Sequence, residues 1–82
     1  MTEVIIYTKS SGCPYCVTAK KLIEREGLAY QEIKIDENLE KRDEMIERSG
    51  GRRTVPQIFI NGEHRGGSDD LHAYYEKHGT LL

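Results

Sequence analysis

Two cysteines three residues apart, in Cys13-Pro14-Tyr15-Cys16, are the only thiols in the chain. A thiolate at one of them can attack a disulfide, and a second thiol one helical turn away can resolve the mixed disulfide that forms. Two thiolates can also supply half of a structural zinc site, or part of an iron–sulfur cluster whose other thiolates come from a second copy or from small thiols. An inert pair of core residues is a fourth reading. For zinc, only His64, His72 and His78 could complete the set, and His72 and His78, six apart, fall on different sides of a helix. As a staple the pair is poor, because a bridge between i and i+3 closes a loop too short to remove much unfolded-chain entropy. The spacing points to reactivity.

The elements around the pair decide which thiol reacts. Val4 to Thr8 is a β-branched and aromatic run of strand length, expected to be a central strand buried on both faces. Lys9-Ser10-Ser11-Gly12 breaks it as a loop. A helix follows, with Pro14 in its first turn, where a fixed φ costs nothing and the missing N–H had no partner. Cys16, Ala19 and Ile23, widened by Leu22, form its apolar face, and Gly27 suits the left-handed position that ends it. Cys13 therefore falls at or just before a helix N-terminus, where unpaired N–H groups and nearby Lys9 favour its anion; a free thiol ionises near about 8.5, and such a site lowers that. Cys16 lies one turn in, on the apolar side. Cys13 is the expected nucleophile and Cys16 the resolving thiol.

Further along, Ala29 to Ile35 reads as an edge strand with Ile33 and Ile35 on one face. Strand, helix and strand in about thirty residues is the length of a right-handed βαβ unit. Asp36 or Asn38 can cap a second helix running to about Ser49, with Leu39, Met45 and Ile46 inward and Gly50-Gly51 stopping it. Gln57 to Ile60, Asn61-Gly62 and Glu63 to Arg65 read as a β-hairpin, since Asn-Gly supplies the two positive-φ positions of a type I′ turn. Gly66-Gly67 ends its second strand. Ser68 is then expected to cap a short helix, with Asp69 and Asp70 in its first turn and Leu71, Tyr74, Tyr75 and His78 on its packing side. The order is β-α-β-α-β-β-α. Neither the parallel pair nor the hairpin could bury a face alone, so they are expected to share one mixed four-stranded sheet with helices on its faces.

Eighty-two residues suffice for one domain, 1–82, and not for two. Net charge is −2, from 12 basic and 14 acidic side chains scattered along the chain, with no basic stripe that would suit nucleic acid. The longest fully apolar run, Val4-Ile5-Ile6-Tyr7, is far too short for a membrane span, and Met1-Thr2-Glu3 has neither the basic region nor the apolar run of a signal peptide. A cytoplasmic, reducing setting is expected, where a Cys-x-x-Cys pair reads as redox or metal chemistry.

Cys13-Pro14-Tyr15-Cys16 after a strand, Thr54-Val55-Pro56 before a hairpin, and Gly66-Gly67-Ser68-Asp69-Asp70 at the last helix together resemble the signature set of dithiol glutaredoxins. Order and spacing match over essentially the whole chain, and the run Glu44 to Ile60 is especially similar to the bacterial glutaredoxin 3 group. The sequence lacks the Trp-Cys-Gly-Pro-Cys of thioredoxins and the Cys-Gly-Phe-Ser of single-cysteine relatives. The resemblance implies a thioredoxin-like α/β fold and a glutathione-dependent thiol–disulfide oxidoreductase with no tightly bound cofactor, glutathione serving as co-substrate. It implies a cis Pro56 that turns the Val55 backbone toward the Cys13 sulfur. Thr54 and Val55 would then pair with glutathione through their backbone, as an added strand would. The Ser68 hydroxyl and amide and the Asp69 amide, with Gly67 beside them, suit the γ-glutamyl carboxylate, and the Asp69 side chain suits the ammonium. Lys9, with Arg52 or Arg53, suits the glycyl carboxylate, and Tyr15 would flank the bound sulfur. Ser68 stands where many relatives have Cys, which excludes regulation through a third thiol. Implied partners are glutathione and glutathionylated or disulfide-containing proteins, with ribonucleotide reductase one candidate client, and the chain is expected to act as a monomer. The alternative is a module that holds an iron–sulfur cluster between two chains through Cys13 and two glutathiones, which a rigid, crowded helix start at Pro14 disfavours.

Overall fold

The computed structural model describes residues 2–82; Met1, part of the N-terminal stretch read above, lies outside them. Seven elements follow in the expected order: β1 (Val4–Thr8), α1 (Pro14–Arg25), β2 (Gln31–Lys34), α2 (Leu39–Arg48), β3 (Gln57–Ile60), β4 (Glu63–Gly66) and α3 (Ser68–His78). The strands form one sheet in the order β2-β1-β3-β4, so β1 is central and β2 is an edge. β1 runs parallel to β2, with Tyr7 opposite Ile33, and antiparallel to β3, with Ile6 opposite Ile58. The hairpin turns at Asn61 and Gly62, both at positive φ (51° and 80°), the backbone a type I′ turn demands.

Side-chain alternation splits the core into two layers. Val4 and Ile6 of β1 join Ile58 and Ile60 of β3 beneath Ala19, Leu22 and Ile23 of α1 and Leu71 of α3. On the other face Tyr7 and Phe59 pack with Ile35 and with Met45 of α2. The sheet is thus sandwiched between α1 with α3 and α2 alone. Among the described residues no helix is long and apolar enough to cross a membrane.

Four local expectations need correction. The second strand is shorter than Ala29–Ile35, although Ile35 is still buried and donates its N–H to the Thr8 carbonyl at 2.8 Å. Leu39 is 70% exposed, because it opens the first turn of α2, ahead of Met45 and Ile46, the helix residues that pack on Tyr7 and Phe59. His78 is likewise exposed at the far end of α3 and lies against the Tyr74 ring at 4.3 Å between centroids. Finally, Gly67 and not Ser68 is the N-cap of α3, because the Asp70 carboxylate reaches back and accepts the Gly67 N–H at 3.0 Å. Asn38 is the cap of α2, its Oδ1 accepting the Glu40 N–H at 3.0 Å. Asp36 does something else: its carboxylate accepts both the N–H and the hydroxyl of Ser10, at 3.1 and 3.0 Å, and so pins the loop that leads into the cysteines.

Candidate active site

The end of β1, the start of α1, the segment before β3 and the start of α3 converge at one end of the sheet. Pro14 is the first residue of α1, which makes Cys13 its N-cap. In that position the Cys13 Sγ accepts the Cys16 N–H at 3.2 Å, a first-turn donor that it shares with the Cys13 carbonyl at 3.1 Å. Cys16 is buried and Cys13 half-buried, and the two are joined as a disulfide. The structure therefore shows the oxidised pair, with the more accessible sulfur at the positive end of the helix.

Val55-Pro56 is a cis peptide, and the Val55 carbonyl lies 3.9 Å from the Cys13 Sγ. Among the described residues the Val55 N–H has no partner, neither a backbone carbonyl nor a side chain. Beside it runs a groove of about 420 Å³ lined by Tyr15, Arg52, Thr54, Val55, Pro56, Gly67, Ser68, Asp69 and Asp70. Eight of the ten residues expected to hold the ligand are thus brought to one place. Lys9 is not among them: it lines a smaller hollow of about 160 Å³ on the α1–β2 side, together with both cysteines, Lys20 and Glu32. Arg53 is exposed and lines neither.

Arg52 and Asp70 form an ion pair at 3.1 Å on the groove wall. The Gly67 amide, and then the guanidinium, hold the Asp70 carboxyl below the usual carboxylate range. Gly66 makes this possible. Its φ is +86°, and a Cβ there would lie 2.4 Å from the Asp70 carboxylate oxygen. Gly66→Ala is expected to cost about 1–2 kcal/mol from backbone strain alone, and more from displacing Asp70. A lower urea midpoint together with a weaker α3 start, read by amide exchange at Gly67, checks this.

Across the sulfurs, the Glu32 carboxylate accepts from the buried Thr8 hydroxyl at 2.7 Å and from Lys20 at 3.0 Å, and the hydroxyl, more than the ammonium, lowers its pKa. Asp70 as a groove residue, and the Glu32–Lys20 pair, are absent from the residues singled out in the sequence. No local pattern marks them, since both depend on pairing between distant elements. Among the described residues no group of three or more His, Cys, Asp or Glu is placed to hold a metal ion, so the histidines considered for zinc do not gather at the cysteines.

The family model for glutaredoxin matches residues 4–65. Glutaredoxin 3 of Escherichia coli is 58% identical over 73 residues, covering 89% of this chain and 86% of the relative. Among solved structures, that of glutaredoxin from Brucella melitensis is 51% identical, with a TM-score of 0.78 over 93% of this chain and 80% of that one. A buckwheat glutaredoxin–glutathione complex is 31% identical, with a TM-score of 0.80 over 98% of this chain and 73% of that one.

Proposed function

Because the chain belongs to the glutaredoxin family, we propose that this thiol–disulfide oxidoreductase uses glutathione as co-substrate and takes protein–glutathione mixed disulfides and protein disulfides as substrates. One observation carries the reading: the Cys13 sulfur takes a helix N–H at 3.2 Å and lies 3.9 Å from the carbonyl of Val55, a groove residue whose own N–H has no partner among the described residues. The same N–H that faces the disulfide sulfur here would stabilise the thiolate once the pair is reduced.

In the single-thiol route the Cys13 thiolate attacks the glutathionyl sulfur. A bond forms between Cys13 and glutathione, the original S–S bond breaks, and the client leaves as a thiolate that takes a proton. A glutathione thiolate then attacks the Cys13-bound glutathione, giving glutathione disulfide and regenerating the Cys13 thiolate. In the two-thiol route Cys13 attacks a protein disulfide, Cys16 displaces the client, and the Cys13–Cys16 disulfide seen here is the product, to be reduced by two glutathiones. Val55 would pair with the cysteinyl backbone of glutathione, the start of α3 at Ser68 and Asp69 would take the γ-glutamyl carboxylate, and the Asp69 side chain its ammonium. Arg52, the cation within the groove, is assigned the glycyl carboxylate, and Tyr15, 62% exposed, flanks the sulfur. Every residue proposed to act lies on this one chain, which supports action as a monomer; the cytoplasm is the proposed setting, with ribonucleotide reductase among candidate clients.

The test compares one peptide capped at its cysteine with glutathione or with cysteamine, which offers the same sulfur and none of the peptide backbone or carboxylates. The glutathionyl form is expected to react with at least about tenfold higher kcat/KM, the worth of one or two charge-assisted hydrogen bonds. Equal values would overturn glutathione recognition while leaving disulfide exchange in place.

A further inference from the structure

Resting on the glutathione reading, we infer that Gln57, held in turn by His64, is a positioning residue that sets the Thr54–Val55 peptide for ligand binding without touching the ligand. Gln57 opens β3 at the head of an otherwise apolar run, Ile58-Phe59-Ile60, and its side chain is fully buried. A buried amide needs partners, and Gln57 has one for each end. Its Nε2 donates to the Thr54 carbonyl at 3.1 Å and to the Thr54 Oγ1 at 3.2 Å. A carbonyl oxygen can only accept, so these two contacts settle which end of the amide carries the hydrogens. The Gln57 Oε1 therefore faces His64, and the His64 Nε2, 2.7 Å away, must be the protonated nitrogen that donates to it.

The consequence lies in the peptide plane. The Thr54 carbonyl and the Val55 N–H belong to one planar unit, and in a trans peptide they point in opposite directions. Val55-Pro56 is the cis bond of this segment, so Thr54-Val55 is trans. By drawing the Thr54 carbonyl to itself, Gln57 turns the Val55 N–H away, and that N–H is the donor left without a partner beside the groove. His64 is itself fixed: its ring stacks on Phe59 at 4.8 Å and 25° between planes, and the Arg48 guanidinium lies over the same Phe59 ring at 4.4 Å. Burial, and after it the nearby Arg52, lower the His64 pKa, which favours the neutral ring without removing its Nε2 hydrogen. A relay of side chains thus runs from the hydrophobic layer under α2 to a backbone N–H in the groove.

The relay makes a specific claim about selectivity. Gln57→Met keeps the side chain's length and removes its hydrogen bonds. His64→Phe keeps the stack on Phe59 and removes the donor to Gln57. In both, the ratio of kcat/KM for the glutathionyl peptide over the cysteamine-capped peptide is expected to fall about fivefold, the loss of one well-placed neutral hydrogen bond, chiefly through a higher KM. A fall in the folded fraction lowers both rates together and leaves that ratio unchanged. If the parent protein prefers the glutathionyl peptide and both variants keep its full preference, the positioning role is wrong. If the parent itself shows no preference, the glutathione reading is what has failed. Should Gln57→Met prove unstable, His64→Phe, at a half-buried position, decides alone.

Discussion

Cys13→Ser is expected to reduce glutathionylated substrate only at the uncatalysed background rate, whereas Cys16→Ser keeps activity of the same order as the parent. The asymmetry follows from the helix. Disulfide exchange needs a thiolate, and a serine hydroxyl at the same place does not ionise near neutral pH. Cys13 is the half-buried sulfur that accepts the Cys16 N–H, while Cys16 is 2% exposed among Ala19, Leu22 and the rest of the core face of α1. A substrate sulfur can approach the first and not the second. Once Cys13 carries glutathione, free glutathione can release it without help from Cys16. With a protein disulfide as substrate the expectation reverses: Cys16→Ser stalls at the mixed disulfide, which intact mass reports as an adduct on Cys13. Equal loss of deglutathionylation in the two variants would contradict the division of labour.

The second large effect concerns the layer beneath the groove. Phe59→Ala is expected to destabilise the protein by about 3–5 kcal/mol, the usual cost of emptying a buried aromatic site. Phe59 is 3% exposed, meets the Tyr7 ring edge-on at 5.8 Å, and supports both His64 and Arg48. A small domain holds only about 5–15 kcal/mol in total, so the variant should unfold at far lower urea and leave a measurable unfolded fraction at physiological temperature. Phe59→Leu, which refills most of the volume but not the ring contacts, should fall between. A parental urea midpoint for Phe59→Ala would mean that this layer does not hold the sheet against α2.

Much of this was legible in the residues. Val4 to Thr8 as the central strand, Cys16, Ala19, Leu22 and Ile23 as the inner face of α1, and Asn61-Gly62 as a type I′ turn each follow from local periodicity or backbone demands, and each is found. Leu39 and His78 misled because periodicity reports a side chain's direction around the helix axis and says nothing of where the sheet ends. The α3 cap shifted by one residue because Gly67-Ser68-Asp69-Asp70 offers two possible caps, and only the reach of Asp70 back to Gly67 decides between them. The groove itself came through family resemblance, since nothing local brings Thr54 to Ser68. Gln57 could have been noticed, because an amide at the head of an apolar strand asks what it bonds. That its partners are Thr54 and His64 depends on the hairpin closing across it.

The central claim is that, once the pair is reduced, the start of α1 holds the Cys13 sulfur as an anion. The most direct measurement is a titration of the Cys13 thiolate by its ultraviolet absorbance in reduced Cys16→Ser protein, where it is the sole thiol. The account predicts a midpoint clearly below the value of about 8.5 for a free thiol. A midpoint at or above that value would contradict it.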